Sequence, residues 1–150
     1  MPTKVSTLVG EKLLIQIGDG AASEQFAEDC LINTSRGIEI SSETTDSLVP
    51  YCDDPSLPAW KEIFKDGIQA TISGAGKLHT PSYAAWFAWA TTDVAKNIRV
   101  KIDKPGAQGG GYIQGAFKLT QFGLTGERKN NSEITATIVS HGELTWNANP

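Results

Sequence analysis

Residues 68–78 alternate strictly: Ile68, Ala70, Ile72 and Leu78 fall on one side, and Gln69, Thr71, Ser73 and Lys77 on the other. A two-residue period belongs to a β-strand with one dry and one wet face, and a helix cannot bury that pattern. The period recurs in residues 36–45, where Ile38 and Ile40 oppose Glu39, Ser41 and Glu43. It recurs again in residues 112–123, where Ile113, Phe117 and Leu119 point inward and Gln114, Lys118 and Thr120 outward. Shorter strands are expected at 13–17, at 26–33 (Cys30 and Ile32 sharing a face) and at 98–102, with a last one at 134–146. Gly74 and Gly76 sit inside an otherwise regular strand. Glycine weakens a strand there unless a bulge, a bend or a close backbone contact uses the missing side chain.

One segment has the helical period instead. Thr80 and Pro81 suit an N-cap and a first helical residue. Tyr83, Trp86, Phe87, Ala90 and Val94 then recur as a single apolar stripe. Such a helix spans roughly 14 residues and roughly 21 Å, too short to cross a bilayer. Trp89 falls off the centre of that stripe, a position from which it reaches a neighbouring subunit. Many short strands, one helix and polar turns predict a single mainly-β domain over residues 1–150: two packed antiparallel sheets, a β-sandwich or barrel, with one flanking helix.

Residues 46–63 break both periods. Pro50, Pro55 and Pro58 interrupt any ladder, and Asp46, Asp53 and Asp54 gather among them. Compact domains seldom carry so long a connection without a use for it. Its apolar members, Leu48, Val49, Tyr51, Leu57 and Trp60, are too many for a simple solvated tip. The segment either folds back on its own domain or docks on another surface, and docking is the expectation.

Charge narrows the partners. Lys and Arg number 13 against 17 Asp and Glu, a formal net charge of -4, and no basic cluster breaks the pattern. A protein that grips nucleic acid by its phosphates needs such a cluster; an acidic surface repels DNA and lets it slide past. The N-terminal apolar patch is cut by Gly10, Glu11 and Lys12, so it reads as neither a signal peptide nor a membrane span.

Chemistry has no obvious seat. His79 and His141 lack metal-ligand spacing, and Cys30 and Cys52 match no zinc or redox motif, so both cysteines read as free structural thiols unless the fold brings them together. The glycine-rich stretch 106–111 lacks the Lys-Ser/Thr of a phosphate loop and leads into a strand. Asp46, Asp53 and Asp54 are not spaced as a calcium loop and read as a solvated acidic turn. Neither a catalytic residue, a metal nor a cofactor is expected.

In order, the chain presents the strand RGIEISSETTDSL, a loop ending in WKEIFKDG, the strand IQATISGAGKL, the aromatic helix, the strand IRVKID and the closing run GGGYIQGAFKLTQFGLTGERKNNSEITATIVSHGELTW. That order resembles the major tail-tube protein of long-tailed (siphovirus-type) bacteriophages and gene transfer agents, over about residues 12–146. The loop VPYCDDPSLPAW departs from the tighter turn of many relatives. The resemblance implies a structural virion protein whose hexameric rings stack into a tail tube around a tape-measure protein. Distal-tail and terminator proteins would be further partners, and DNA would pass through without specific binding. It also implies assembly in the host bacterial cytoplasm and a place in the virion tail. Glu39, Ser41, Glu43, Gln69, Thr71 and Ser73 would line the lumen. Leu48, Val49, Tyr51, Leu57 and Trp60 would make the contact between rings, and Tyr83, Trp86 and Trp89 the contact between subunits. Three rivals remain at this level: a tube subunit of a contractile tail or type VI secretion system, a secreted carbohydrate-binding β-sandwich, and, more remotely, a hydrolase on a β-scaffold.

Overall fold

A computed structural model describes residues 2–21, 23–28 and 31–150. Its elements are β1 (Leu13–Gly18), β2 (Phe26–Glu28), β3 (Ser35–Leu48), β4 (Lys61–Lys77), α1 (Thr80–Ala90), β5 (Lys96–Ile102), β6 (Gly111–Thr125), β7 (Glu133–Ser140) and β8 (Thr145–Ala148). All ladders are antiparallel and join one sheet in the order β2-β1-β5-β6-β7-β4-β3, with β8 added to β6. The chain is therefore mainly β with one helix, as its alternating runs predict. The two layers expected from sequence are linked through β6. Its first half pairs with β5 and β8 and its second half with β7, the change being marked by a register shift between Leu119 and Gln121.

One face of this sheet is apolar from end to end. Ile15 of β1, Ile98 and Val100 of β5, Phe117 and Leu119 of β6, Ile134, Ala136 and Ile138 of β7, and Ala70 and Ile72 of β4 form one buried cluster with Trp86 and Trp89 of the helix. Each large side chain in it contributes about 1.5–3 kcal/mol by leaving water. The alternation reads out directly, since successive residues of these strands are in turn buried and wet.

Gly74 and Gly76 serve a close crossing. Residues 31–33 run over β4, and a Cβ at Gly74 would stand 2.6 Å from the Ile32 side chain, while one at Gly76 would strike the Leu31 carbonyl oxygen. Asn33 locks the crossing: its Nδ2 donates to the Lys77 carbonyl at 2.8 Å and its Oδ1 accepts from the Lys77 amide at 2.9 Å. Of the strand expected at 26–33, Phe26–Glu28 forms β2, while Leu31 and Ile32 are buried in a turn rather than a ladder. Cys30 lies outside the described residues.

Four other boundaries differ from expectation. Residues 134–146 divide into β7 and β8 around a turn at 141–144. The helix stops at Ala90, where the Thr91 and Thr92 hydroxyls donate back to the carbonyls of Phe87, Ala88 and Trp89, and Val94 lies beyond it. His79, not Thr80, occupies the N-cap position, without a side-chain capping bond. The connection expected over 46–63 shrinks to residues 49–60, because β3 and β4 keep pairing out to Leu48 opposite Lys61.

Candidate functional site

Residues directly opposite each other in a ladder point to the same side of the sheet. Glu39 stands opposite Thr71, Ser41 opposite Gln69, Glu43 opposite Gly67 and Ser73 opposite Gly37. The ladders thus bring all six sequence-predicted polar residues, Glu39, Ser41, Glu43, Gln69, Thr71 and Ser73, onto one face. β7 and β6 continue it: Ser73 is level with Thr137, Ala75 with Thr135, and Thr137 in turn with Gln121. Thr135, Thr137 and Gln121 escaped the sequence reading, although the alternation of Ile134, Ala136 and Ile138 with Thr135 and Thr137 carried the signal.

The electrostatics of this face are specific. Its two strand lysines, Lys77 and Lys118, are both neutralised: Lys77 pairs with Glu133, and the Lys118 Nζ lies 2.7 Å from an Asp93 carboxylate oxygen. Hydrogen bonding to Lys118, reinforced by its charge, holds the Asp93 carboxyl below its ordinary value. Glu39 and Glu43 have no ion-pair partner among the described residues. The face is hydroxyl- and amide-rich with a negative excess, and its strand lysines are paired rather than free to attract phosphate.

Two strand edges bound this four-stranded polar face. β3 ends the sheet, and β5 stops pairing with β6 at Phe117, so among the described residues no strand covers the outer edge of β3 or of β6 beyond that point. Unpaired edges of such length invite pairing with another chain.

Beyond the body the same hairpin runs on alone. β7 accompanies β4 only from Thr71 to Lys77, with the Ala70 amide donating to the Ser140 hydroxyl, leaving residues 61–69 of β4 paired with β3 and nothing else among the described residues. At about 3.3 Å per residue this arm projects about 30 Å. A bare two-stranded ribbon is marginal in water, and this one carries apolar side chains into solvent: Ile68 is 74% exposed and Ile63 63%. At its tip the predicted loop residues Leu48, Val49, Tyr51, Leu57 and Trp60 are all exposed, Trp60 by 83%. Tyr51, Leu57 and Trp60, with Pro58 and Ala59, line an open concavity of about 400 Å³.

The helix residues fall out differently. Trp86 and Trp89 are only 3% and 4% exposed. Their rings meet edge to face at 5.5 Å, Trp86 stacks on Phe122 at 5.7 Å, and the Trp89 indole N–H donates to the Val94 carbonyl at 2.8 Å. Both tryptophans belong to the subunit's own core, which corrects the expectation that they reach a neighbour. Three residues apart, they share one helix face, so the true centre of the stripe runs through Trp89. Tyr83 is half-buried against Phe122, and Phe87 is the large exposed side chain of the helix.

Among the described residues, no three His, Cys, Asp or Glu side chains converge as a metal site, and no helix is long and apolar enough to cross a membrane. Cys52 is a free thiol, exposed in the tip loop.

Comparison with known proteins bears directly on this geometry. The tail of an empty gene transfer agent (GTA) particle, refined helically with C6 symmetry, contains a chain that superposes with a TM-score of 0.72 at 22% identity, covering 95% of this chain and all of that one. A chain of the native GTA virion matches equally well, with a TM-score of 0.72 at 21% identity and the same coverage. The SPP1 tail tube, determined by solid-state NMR and electron cryomicroscopy, matches with a TM-score of 0.56 at 9% identity over 95% of this chain and 80% of that one. No curated protein sequence matches. The family model described as phage tail tube protein matches residues 7–146, nearly the whole chain, and the protein belongs to that family of structural tail-tube subunits.

Proposed function

We propose that copies of this chain close into six-membered rings, which stack into a hollow virion tail tube, the polar face of β3, β4, β7 and β6 turned to the channel. The outer edge of β3 in one copy pairs with the free end of β6 in the next, so that the ring becomes a barrel without edges. The six-fold order follows the C6 symmetry of the GTA tail that this fold resembles. The observation that carries the lumenal assignment is the pairing of Lys77 and Lys118, which leaves the face acidic and free of unpaired strand lysines. DNA passes such a wall by repulsion.

Leu48, Val49, Tyr51, Leu57 and Trp60, at the end of the arm, make the contact between successive rings. Head-to-tail contacts of this kind propagate without limit. Tube length is therefore set from outside, by a tape-measure protein occupying the channel, with distal-tail and terminator proteins at the two ends. Assembly takes place in the cytoplasm of the host bacterium. The role is mechanical, a wall and conduit, with no reaction catalysed.

Electron microscopy of the purified chain in negative stain, across a concentration series, tests this. Rings or hollow tubes of uniform diameter are expected; sheets or solid fibres would overturn the closed-barrel reading.

A further inference from the structure

The arm carries an irregularity that sets which of its apolar side chains faces which side. The ladder shifts between Glu43, opposite Gly67, and Thr44, opposite Lys65, so that Asp66 is an extra residue with no partner of its own. The Thr45 hydroxyl bonds the Asp66 carboxylate at this point. A bulge reverses the phase of its strand relative to an uninterrupted one. Without it, Phe64 would fall on the side of Ile68 and Leu48, and Ile63 on the side of Glu43. With it, Phe64 stands opposite Thr45, on the side of Glu43, while Ile63 stands opposite Asp46 on the other side, with Leu48. Phe64 and Ile63 are both more than half exposed. The outer arm is therefore apolar on both faces.

We propose that the outer arm is clamped between two further copies of this chain, one against Ile63 and Leu48 and another against Phe64, rather than laid upon one. The inference rests on the tube reading above and specifies where the arm goes: into the seam between two neighbours of the adjoining ring. Charge names a second copy of this chain as the occupant on each side. Residues 38–70 hold seven carboxylates against Lys61 and Lys65 alone, although the whole chain has a net charge of only -4, so the remainder of the chain is slightly cationic. Lys12, Lys101 and Lys104 border one recess of that remainder, where Asp103 pairs with Lys12 and leaves a cationic excess. An acidic arm between bodies of opposite charge is attracted from both sides.

Photo-crosslinking tests the clamp. p-Benzoylphenylalanine is placed at position 63 or at position 64 of the full chain, tubes are assembled and irradiated, and crosslinked peptides are identified by mass spectrometry. The expected result is two non-overlapping sets of partner residues, one for each position. A shared set, or a position in assembled tubes that yields no crosslink, overturns the clamp. Failure of the unsubstituted chain to form tubes counts against the tube reading instead. Separately, Ile63→Ser and Phe64→Ser, both outside the core, should each raise the concentration needed for assembly by roughly tenfold or more. Normal assembly by either variant would show that face to be uncovered and would overturn the proposal.

Discussion

Gly76 shows how little room single positions leave. A methyl there meets the Leu31 carbonyl oxygen, a backbone atom that cannot swing aside. Gly76→Ala is expected to destabilise the subunit by about 1–3 kcal/mol, read as a lowered Tm in calorimetry. Such a glycine was legible as a bulge, a bend or a close approach, because glycine otherwise weakens an alternating strand. What approached it was not, since the crossing of residues 31–33 is a tertiary event without a local period. The lumenal assignment is also made residue by residue. Replacing Glu39 and Glu43 with lysine puts unpaired cations on the polar face without touching the core. Tube formation should persist while DNA delivery slows, and delivery kinetics unchanged from wild type would argue against a channel-facing position.

Among the elements, the arm separates folding from assembly most cleanly. Its residues beyond Ala70 pair only within the hairpin, so replacing residues 45–64 by a two-residue Asn-Gly turn should leave the Tm of the body within a few degrees. Tubes should no longer form. The sequence revealed the inner part of this hairpin through its alternation and missed the outer part, because the bulge at Asp66 breaks the period of β4 between the alternating run and the proline-rich tip. The helix misled for a different reason. Its composition is apolar nearly all round, so the stripe through Phe87 and Ala90 looked as good as the one through Trp86 and Trp89 until the position of Phe122 decided it. Just past the helix, Asp93 bonds Lys118 of β6 with its carboxyl value lowered. Such a shift contributes stability above the ordinary carboxylate range and loses it as pH falls through the lowered value. Asp93→Asn should therefore lower stability slightly at neutrality, with the difference from wild type vanishing at acid pH, so that the acid limb of a stability–pH curve flattens.

For the whole molecule, the division of charge predicts how assembly responds to salt. The hairpin arm holds the negative excess and the body a slight positive one. At about 1 M ionic strength the screening length falls to roughly 3 Å, so the attraction between copies weakens while apolar contacts persist. The critical concentration for tube formation, followed by light scattering, should rise between low and high salt in the wild-type chain. It should rise less when Glu62 and Asp66 are replaced by Gln and Asn. The central claim is that one polar four-stranded face per subunit makes the channel wall. Electron cryomicroscopy of assembled tubes tests it most directly, through a helical reconstruction fine enough to trace strands. The account predicts a continuous barrel with Glu39, Thr71, Thr137 and Gln121 facing the channel and Phe87 of the helix outside it. A channel wall built from the helix, or from β1 and β5, would contradict it.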